Sequence, residues 1–153
     1  MAHEYTATIS WVRDGAVFTD LKFSRAHQWS FDGGITVPAS SAPSSVRVPL
    51  SKADAVDPEE ALVASASSCH MLWFLSLAQA EGLDVLSYAD EAEGAMGRLG
   101  PGKIGLTRIT LRPAIAFAGA APEPAVLERL HHEAHERCFI ANSLKTEIVV
   151  EAR

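Results

Sequence analysis

The feature that most constrains the fold is a long, almost wholly apolar segment between Asp57 and Gly82. Its beginning carries a helix signal, because Asp57 can cap, Pro58 suits the first helical position and Glu60 lies three residues after the cap. Gly82 is a natural helix stop. The residues between them are apolar on nearly every face, which predicts a helix buried at the centre of the protein.

The residues before this helix alternate between apolar and polar side chains, which is typical of strands. One strand is predicted around Tyr5 to Trp11, and a second extended region around 17–31. Asp32-Gly33-Gly34 predicts a hairpin turn, because glycine supplies the positive φ that a tight turn needs. We expect N-terminal strands over 1–38 and a Ser/Pro-rich linker loop over 39–56.

The residues after the helix predict a strand pair over about 84–96 and 103–117, a second helix and a closing strand. Pro122 and Pro124 open that second helix, and Thr146, Ile148 and Val150 mark the strand. The order strands, helix, strand pair, helix, strand predicts an α+β fold. A length of 153 residues suits one domain over 1–153, with residues 57–153 as its helix and strand core.

Charge and hydropathy exclude some classes of partner and suggest a location. The net charge is −6 and no cluster of Lys and Arg is longer than a pair, so a nucleic-acid partner is not expected. Polar residues interrupt the apolar segment at 65, 67, 68 and 70, which argues against a membrane span. The first 20 residues lack the pattern of a signal peptide, so a cytoplasmic location is expected.

The chain has two cysteines, and both are predicted to face the core from the two long helices. Cys69 lies in the apolar segment, and Cys138 continues the stripe of Leu127, Leu130 and Ala134. Each cysteine alone is most simply a small buried hydrophobic residue. In a reducing compartment, two cysteines far apart in sequence favour redox chemistry or metal binding over a permanent disulfide. If the two helices pack together, the cysteine side chains can meet.

A metal site is the alternative to redox chemistry. His131, His135 and Cys138 follow the spacing i, i+4, i+7 and would share one helix face, and Cys69 or His70 would complete four zinc ligands. The segment lacks the glutamate placement of the H-E-x-x-H signature of hydrolases. These histidines are equally compatible with the rim of an amphipathic helix.

Two segments resemble motifs of the OsmC/Ohr family, the osmotically inducible and organic hydroperoxide resistance proteins. Residues 57–70 resemble its central-helix motif, in which Asp-Pro-Glu and a run of small apolar residues precede a peroxidatic cysteine. Residues 135–143 resemble its second motif, which contains the resolving cysteine. The order of strands and helices matches from end to end.

The resemblance implies an OsmC-like fold, with antiparallel sheets around a buried central helix in an intertwined homodimer. It also implies a thiol-dependent peroxidase acting on organic hydroperoxides, in which Cys69 is peroxidatic and Cys138 is resolving. The family's catalytic arginine corresponds to Arg25, with Arg13 as a weaker candidate, and its orienting glutamate corresponds to Glu59. A dithiol such as a lipoyl protein, thioredoxin or a small thiol would reduce the disulfide. Because the redox role is preferred for both cysteines, neither a metal nor a cofactor is expected.

The residue chemistry agrees with these roles. A peroxide-reducing cysteine needs a nearby cation to stay a thiolate, and a planar guanidinium can pair with thiolate and carboxylate. An apolar wall for an organic hydroperoxide is expected among four side chains, each of which would otherwise be plain core: Met71, Trp73, Phe74 and Phe139. A non-catalytic binding protein with the same fold remains an alternative.

One prediction concerns the shape of the first helix. Glu59 and Cys69 would be about 15 Å apart along the axis of an unbroken helix, too far for one arginine to touch both. Serines at 65, 67 and 68 compete with helix by bonding to nearby backbone. We therefore expect a kink or a restart between Ala64 and Ser68, with Arg25 within hydrogen-bonding reach of Glu59 or Glu60.

Overall fold

The computed structural model describes residues 3–153, which contain eight strands and three helices. They fall into two compact units, one ending at Ala61 and one beginning at Leu62. The first unit holds β1 (Ala7–Ser10), β2 (His27–Phe31) and β3 (Thr36–Ala39), and α1 (Pro58–Ala80) begins in it. The second unit holds most of α1 and the following elements: β4 (Val85–Asp90), β5 (Glu93–Gly100), β6 (Lys103–Leu111), β7 (Pro113–Phe117), α2 (Pro124–Arg137), α3 (Phe139–Ser143) and β8 (Glu147–Val150).

The first unit is built on an antiparallel sheet in the order β1-β2-β3. The predicted hairpin turn is confirmed, since Phe31 N–H donates to the Ile35 carbonyl at 2.9 Å and Gly34 has a φ of +81°. The second extended region is shorter than predicted and begins only at His27. Leu21 has a φ of +61°, so the chain turns there instead of continuing a strand.

The predicted loop over 39–56 is packed against the end of β3. Ser40 N–H donates to the Val56 carbonyl at 3.0 Å, and Ala39 and Val56 form a short parallel bridge. The Ser40 hydroxyl is buried and accepts from Lys52 N–H at 3.0 Å. Backbone and side-chain hydrogen bonds therefore fix a segment whose Ser and Pro content indicated only irregular structure.

The second unit has four strands where the sequence predicted a pair. β4 pairs with β7 and β5 pairs with β6, both antiparallel, so each predicted strand is divided in two. The division lies at Asp90, whose Oδ1 accepts from Arg112 N–H at 2.6 Å. The predicted strands run through this point, although Asp90 and Glu91 interrupt the apolar alternation and Pro113 follows Arg112. The closing strand β8 is confirmed, and it joins β6 in parallel.

Two small cores hold the second unit together, and α1 contributes to both. Phe74 and Ala78 pack against Leu130 and Ala134 of α2. About two turns earlier in α1, Ala66 packs with the strand residues Ile109 and Leu111.

The burial of α1 is narrower than the sequence predicted. Its fully buried residues form one stripe at i, i+4 spacing: Ala66, His70, Phe74 and Ala78. Leu72 is 62% exposed in the single chain. Within residues 3–153, α1 is the one helix long and apolar enough to cross a bilayer by length and composition. A core helix of a globular protein meets the same criteria, and α1 supplies residues to both cores.

Candidate functional site

Helix α1 carries Cys69 near its middle, and its start is fixed as the sequence predicted. Glu60 N–H donates to Asp57 Oδ1 at 2.8 Å, and Asp57 N–H donates to Glu60 Oε2 at 3.4 Å. This reciprocal pair is the capping box. Leu83 N–H donates to the Ala78 carbonyl at 3.0 Å and Gly82 has a φ of +75°, which closes the helix.

A kink or a restart was predicted between Ala64 and Ser68, and the restart is wrong. Helical structure runs without interruption from Pro58 to Ala80. The reason is visible at Ser67, whose hydroxyl donates to the Asp90 carboxylate of β4. A serine whose hydroxyl bonds to a neighbouring strand does not compete for its own helix backbone. Cys69 therefore lies inside a helix and not at the N-terminus of a new one.

Cys138 lies outside regular helix, at the junction of α2 and α3. Its backbone is extended, with φ −66° and ψ 112°, so the predicted helical stripe ends at Ala134. The position is buried, as predicted. Its sulfur caps α3 by accepting from Ala141 N–H at 3.4 Å. A thiol in this place is held in one orientation by the helix that it caps.

The two thiols are brought together in the second unit. Both are free, and they lie close enough for Cys69 to act on the pKa of the Cys138 thiol. Burial raises the pKa of the Cys138 thiol, and its contact with Cys69 raises the pKa further, against the opposing effect of the Ala141 N–H. Cys69 is half-buried and Cys138 is buried. The structure therefore places a half-buried cysteine near a buried one whose raised pKa favours the protonated thiol.

Of the four side chains predicted to form an apolar wall, two lie together at the surface. Trp73 and Phe139 meet edge to face, with ring centroids 5.6 Å apart, and Phe139 is 67% exposed. The guanidinium of Arg137 lies over the Trp73 ring, 5.9 Å from its centroid. Met71 is half-buried. Phe74 is completely buried in the core and stacks on His131, so it forms no part of a surface wall.

Arg25 and Glu59 belong to the first unit, and the structure does not join them. The Arg25 guanidinium donates to the backbone carbonyls of Leu21 and Phe23 and lies 3.9 Å from the centroid of the Phe23 ring. Within residues 3–153, no ion pair links Arg25 to Glu59 or Glu60. The predicted contact is therefore absent from the single chain, in which Glu60 completes the helix cap.

A residue that the sequence reasoning missed holds the backbone of Arg25. Trp29 Nε1–H donates to His27 Nε2 at 2.9 Å, and an indole N–H can only donate. The proton of the neutral His27 ring is therefore on Nδ1, which donates to the Arg25 carbonyl at 2.8 Å. The signal available in the sequence was a histidine and a tryptophan two residues apart, on one face of a strand, directly after the arginine.

The histidines predicted as zinc ligands do not converge on one point. Within the described part of the chain, no three side chains of His, Cys, Asp or Glu are grouped to hold a metal ion. His70 and His131 instead hydrogen bond to each other, with Nε2 and Nδ1 3.0 Å apart, and their rings stack. The zinc alternative based on His131, His135 and Cys138 therefore has no support from this geometry.

The sequence profile of the family described as OsmC-like protein matches residues 51–153. The chain belongs to the OsmC-like protein family. The match includes α1, both cysteines and all later elements, so this OsmC-like protein carries both motif segments within the matched region. No curated protein matches its sequence.

Solved structures support the same fold. An OsmC-like protein of unknown function from Vibrio cholerae is 49% identical and superimposes with a TM-score of 0.96, over 99% of this chain and 100% of that one. An organic hydroperoxide resistance protein from Elizabethkingia anophelis is 16% identical with a TM-score of 0.72, over 100% and 99% of the chains. Another, from Legionella pneumophila, is 16% identical with a TM-score of 0.69, over 99% and 96%.

Proposed function

We propose that this OsmC-like protein is a thiol-dependent peroxidase that reduces organic hydroperoxides to alcohols. The observation that carries the proposal is the proximity of two free thiols, Cys69 and Cys138, which are the two cysteines of the sequence. One thiol is half-accessible and the other is enclosed against it. The relatives described as organic hydroperoxide resistance proteins share the fold, and their name suggests the substrate class.

In the first step, the Cys69 thiolate attacks one oxygen of the hydroperoxide. A new S–O bond forms, the O–O bond breaks, and the departing alkoxide takes a proton to become the alcohol. Cys69 is oxidised to a sulfenic acid and the peroxide is reduced by two electrons. We assign the organic group to the apolar surface of Trp73 and Phe139, which follow Cys69 by one helical turn and Cys138 by one residue, and to the half-buried Met71.

In the second step, the sulfur of Cys138 attacks the sulfur of the Cys69 sulfenic acid. An S–S bond forms, the S–O bond breaks, and water leaves with the thiol proton. The raised pKa of Cys138 keeps that proton in place until the sulfenic acid forms. An external dithiol, a lipoyl protein, thioredoxin or a small thiol, then restores both cysteines by two exchange reactions and becomes a disulfide itself.

We assign Arg25 to stabilising the Cys69 thiolate and Glu59 to orienting Arg25. The continuous helix α1 keeps Glu59 and Cys69 of one chain about 15 Å apart along its axis, so one arginine cannot touch both of them. This separation supports a homodimer in which two chains build each site. Sizing with light scattering tests this, because a monomer at assay concentration contradicts it.

The decisive experiment is a coupled peroxidase assay with cumene hydroperoxide and hydrogen peroxide, using dihydrolipoamide or dithiothreitol as reductant. We expect turnover with the organic substrate and an intramolecular Cys69–Cys138 disulfide in the mass spectrum of the product. Cys69→Ser abolishes turnover, whereas Cys138→Ser leaves a sulfenic acid at Cys69 that a dimedone probe captures. Equal activity of Cys69→Ser and the parent rules out the mechanism. Absence of turnover in the parent would favour a non-catalytic binding protein.

The role of Arg25 is tested with a matched pair of arginine variants. Arg25→Ala slows peroxide reduction, and Arg25→Lys remains slow because an ammonium lacks the planar fork that bridges two anions. Arg13→Ala is the control in the same unit and keeps the parent rate. The reverse result, a slow Arg13 variant and a normal Arg25 variant, moves the catalytic arginine to Arg13.

We also propose that residues 1–153 act as one OsmC-like domain in the cytoplasm, where the reducing environment keeps both thiols free. The family match begins at residue 51, within the first unit, and continues through the second, which supports treating the two units as one functional domain. Cell fractionation with an antibody to the protein tests the location.

A further inference from the structure

A second site is suggested by a cleft of about 660 Å³ between α2 and the C-terminal segment that includes β8. We call it the α2–β8 cleft; its walls include Leu127, Ile148 and Val150, and His131, His135 and Arg153 also line it. Neither Cys69 nor Cys138 lines it. Its size and its mixture of apolar walls with a few polar groups are typical of small-molecule sites.

The polar group that indicates a ligand is His131. This residue is 5% exposed and lines the cleft. Its Nδ1 is committed to His70 in the interior, while its Nε2, on the other side of the ring, is buried without a hydrogen-bond partner. A buried ring nitrogen without a partner costs free energy, and a ligand in the adjacent cleft can remove that cost.

The hydrogen bond between His70 and His131 decides which kind of ligand group fits. Burial lowers the pKa of both rings, so each is neutral at pH 7 and carries one N–H. If His70 donates, the N–H of His131 is on Nε2 and needs an acceptor, and His70 Nδ1 remains a bare acceptor. If His131 donates instead, the N–H of His70 is on Nδ1, where it is buried without an acceptor and does not line the cleft. A ligand group that accepts a hydrogen bond therefore pairs with the buried N–H donor, which is the more costly of the two groups to leave without a partner.

Among the other polar groups in the cleft, one cation is available to an anionic acceptor. Arg153 is a permanent cation, although one of its nitrogens already donates to Glu91 at 2.6 Å. His132 and His135 add two imidazoles, and Glu128 is the one carboxylate among the lining side chains. We propose that the α2–β8 cleft binds an aliphatic monocarboxylate, with its carboxylate on His131 Nε2–H and its chain against Leu127, Ile148 and Val150.

Sodium octanoate is the probe, titrated into the full-length protein labelled with ¹⁵N and followed by the histidine ring resonances. We expect saturable shifts of the His131 ring nitrogens, with Nε2 carrying the proton in the complex. 1-Octanol, which has the same chain without the carboxylate, binds at least about tenfold more weakly, the usual loss when a charged partner of a hydrogen bond is removed. Octanoate that leaves the His131 resonances unchanged overturns the proposal.

Two variants at one position provide a matched comparison. His131→Asn places its amide near Nδ1, so it keeps the bond to His70 and loses the nitrogen at the Nε2 position. His131→Gln places its amide near Nε2. Both lose the stacking on Phe74, so they share that cost to folding. We expect octanoate affinity to fall about tenfold or more in His131→Asn and to fall less in His131→Gln. Equal affinities in the two variants, or octanoate shifts confined to the indole of Trp73, contradict the proposal.

Discussion

His70 and His131 form a hydrogen-bonded pair that burial keeps uncharged. Burial, with smaller effects from His131 and His135, lowers the pKa of His70 from 6.5 to about 4. A group with a depressed pKa binds its proton more readily in the unfolded chain than in the folded one. Its contribution to the free energy of unfolding is therefore present above pH 6.5 and is lost as the pH falls toward 4.

This predicts a measurable acid sensitivity. Between pH 7.5 and pH 5 the parent should lose about 2 kcal/mol of unfolding free energy through His70. His70→Gln keeps an amide near Nε2 but does not titrate, so its urea-unfolding free energy should fall less over the same range. The carboxylates titrate equally in both proteins and cancel in the comparison. Parallel pH profiles would show that His70 is not the group responsible.

At the same scale, the sequence predicted the two cysteines as a pair but not their surroundings. The predicted burial of Cys138 is confirmed, although the helical stripe from which it was inferred ends at Ala134. The stripe could not indicate that Cys138 caps α3, because the break after Arg137 depends on where the chain packs. The partners of His70 and Ser67 were also hidden, since they lie 61 and 23 residues away in sequence.

Among the elements, α1 shows both the strength and the limit of the sequence signals. Its two ends were predicted because their signals are local: Asp57 with Glu60 at the start, and Gly82 at the stop. The prediction of a restart within α1 was wrong because the carboxylate of a distant residue, Asp90, accepts the hydrogen bond of the Ser67 hydroxyl. The strands β4 to β7 were predicted as two long strands for a similar reason. Tertiary packing, which the local sequence does not show, determines that β4 pairs with β7 and β5 with β6.

The cap of α1 gives a prediction about stability. Asp57→Ala removes the acceptor of the Glu60 N–H and should lower the unfolding free energy by about 1 kcal/mol. Asp57→Asn retains an acceptor and should cost less. Asp54→Ala, an exposed loop position in the same unit, is the control for loss of one negative charge. Chemical denaturation of the three variants checks this, and an Asp57→Ala midpoint equal to that of Asp54→Ala contradicts it.

The packing of α1 on β5 gives a second prediction. A Cβ at Gly94 would lie 2.7 Å from Val63 Cγ2 and 2.9 Å from Leu106 Cδ2, closer than atoms pack. Gly94→Ala should therefore destabilise the protein by about 1–3 kcal/mol, the range for overpacking a core. At Gly100, in the same strand, a Cβ meets nothing within 4 Å. Thermal unfolding should thus show a large shift for Gly94→Ala and a small one for Gly100→Ala; similar shifts would mean that α1 moves away freely.

For the molecule as a whole, oxidation should change stability as well as reactivity. A Cys69–Cys138 bond would link the middle of α1 to the junction of α2 and α3 and close a long loop in the unfolded chain. Such a cross-link should raise the unfolding free energy by up to about 4 kcal/mol. Denaturation of the peroxide-treated protein with and without dithiothreitol measures this, with Cys138→Ser as a variant that cannot form the bond. A disulfide form less stable than the dithiol would indicate that the bond distorts the fold.

The order of the elements along the chain also has a consequence for synthesis. Phe74 and Ala78 of α1 are covered by residues of β4, β7 and α2, all of which follow α1 in the sequence. On the ribosome, the most apolar segment of the protein therefore emerges before the elements that bury it. At about 5–20 residues per second, the delay until α2 is complete lasts several seconds. During that time the nascent chain displays an uncovered apolar helix, the kind of segment that holdase chaperones retain.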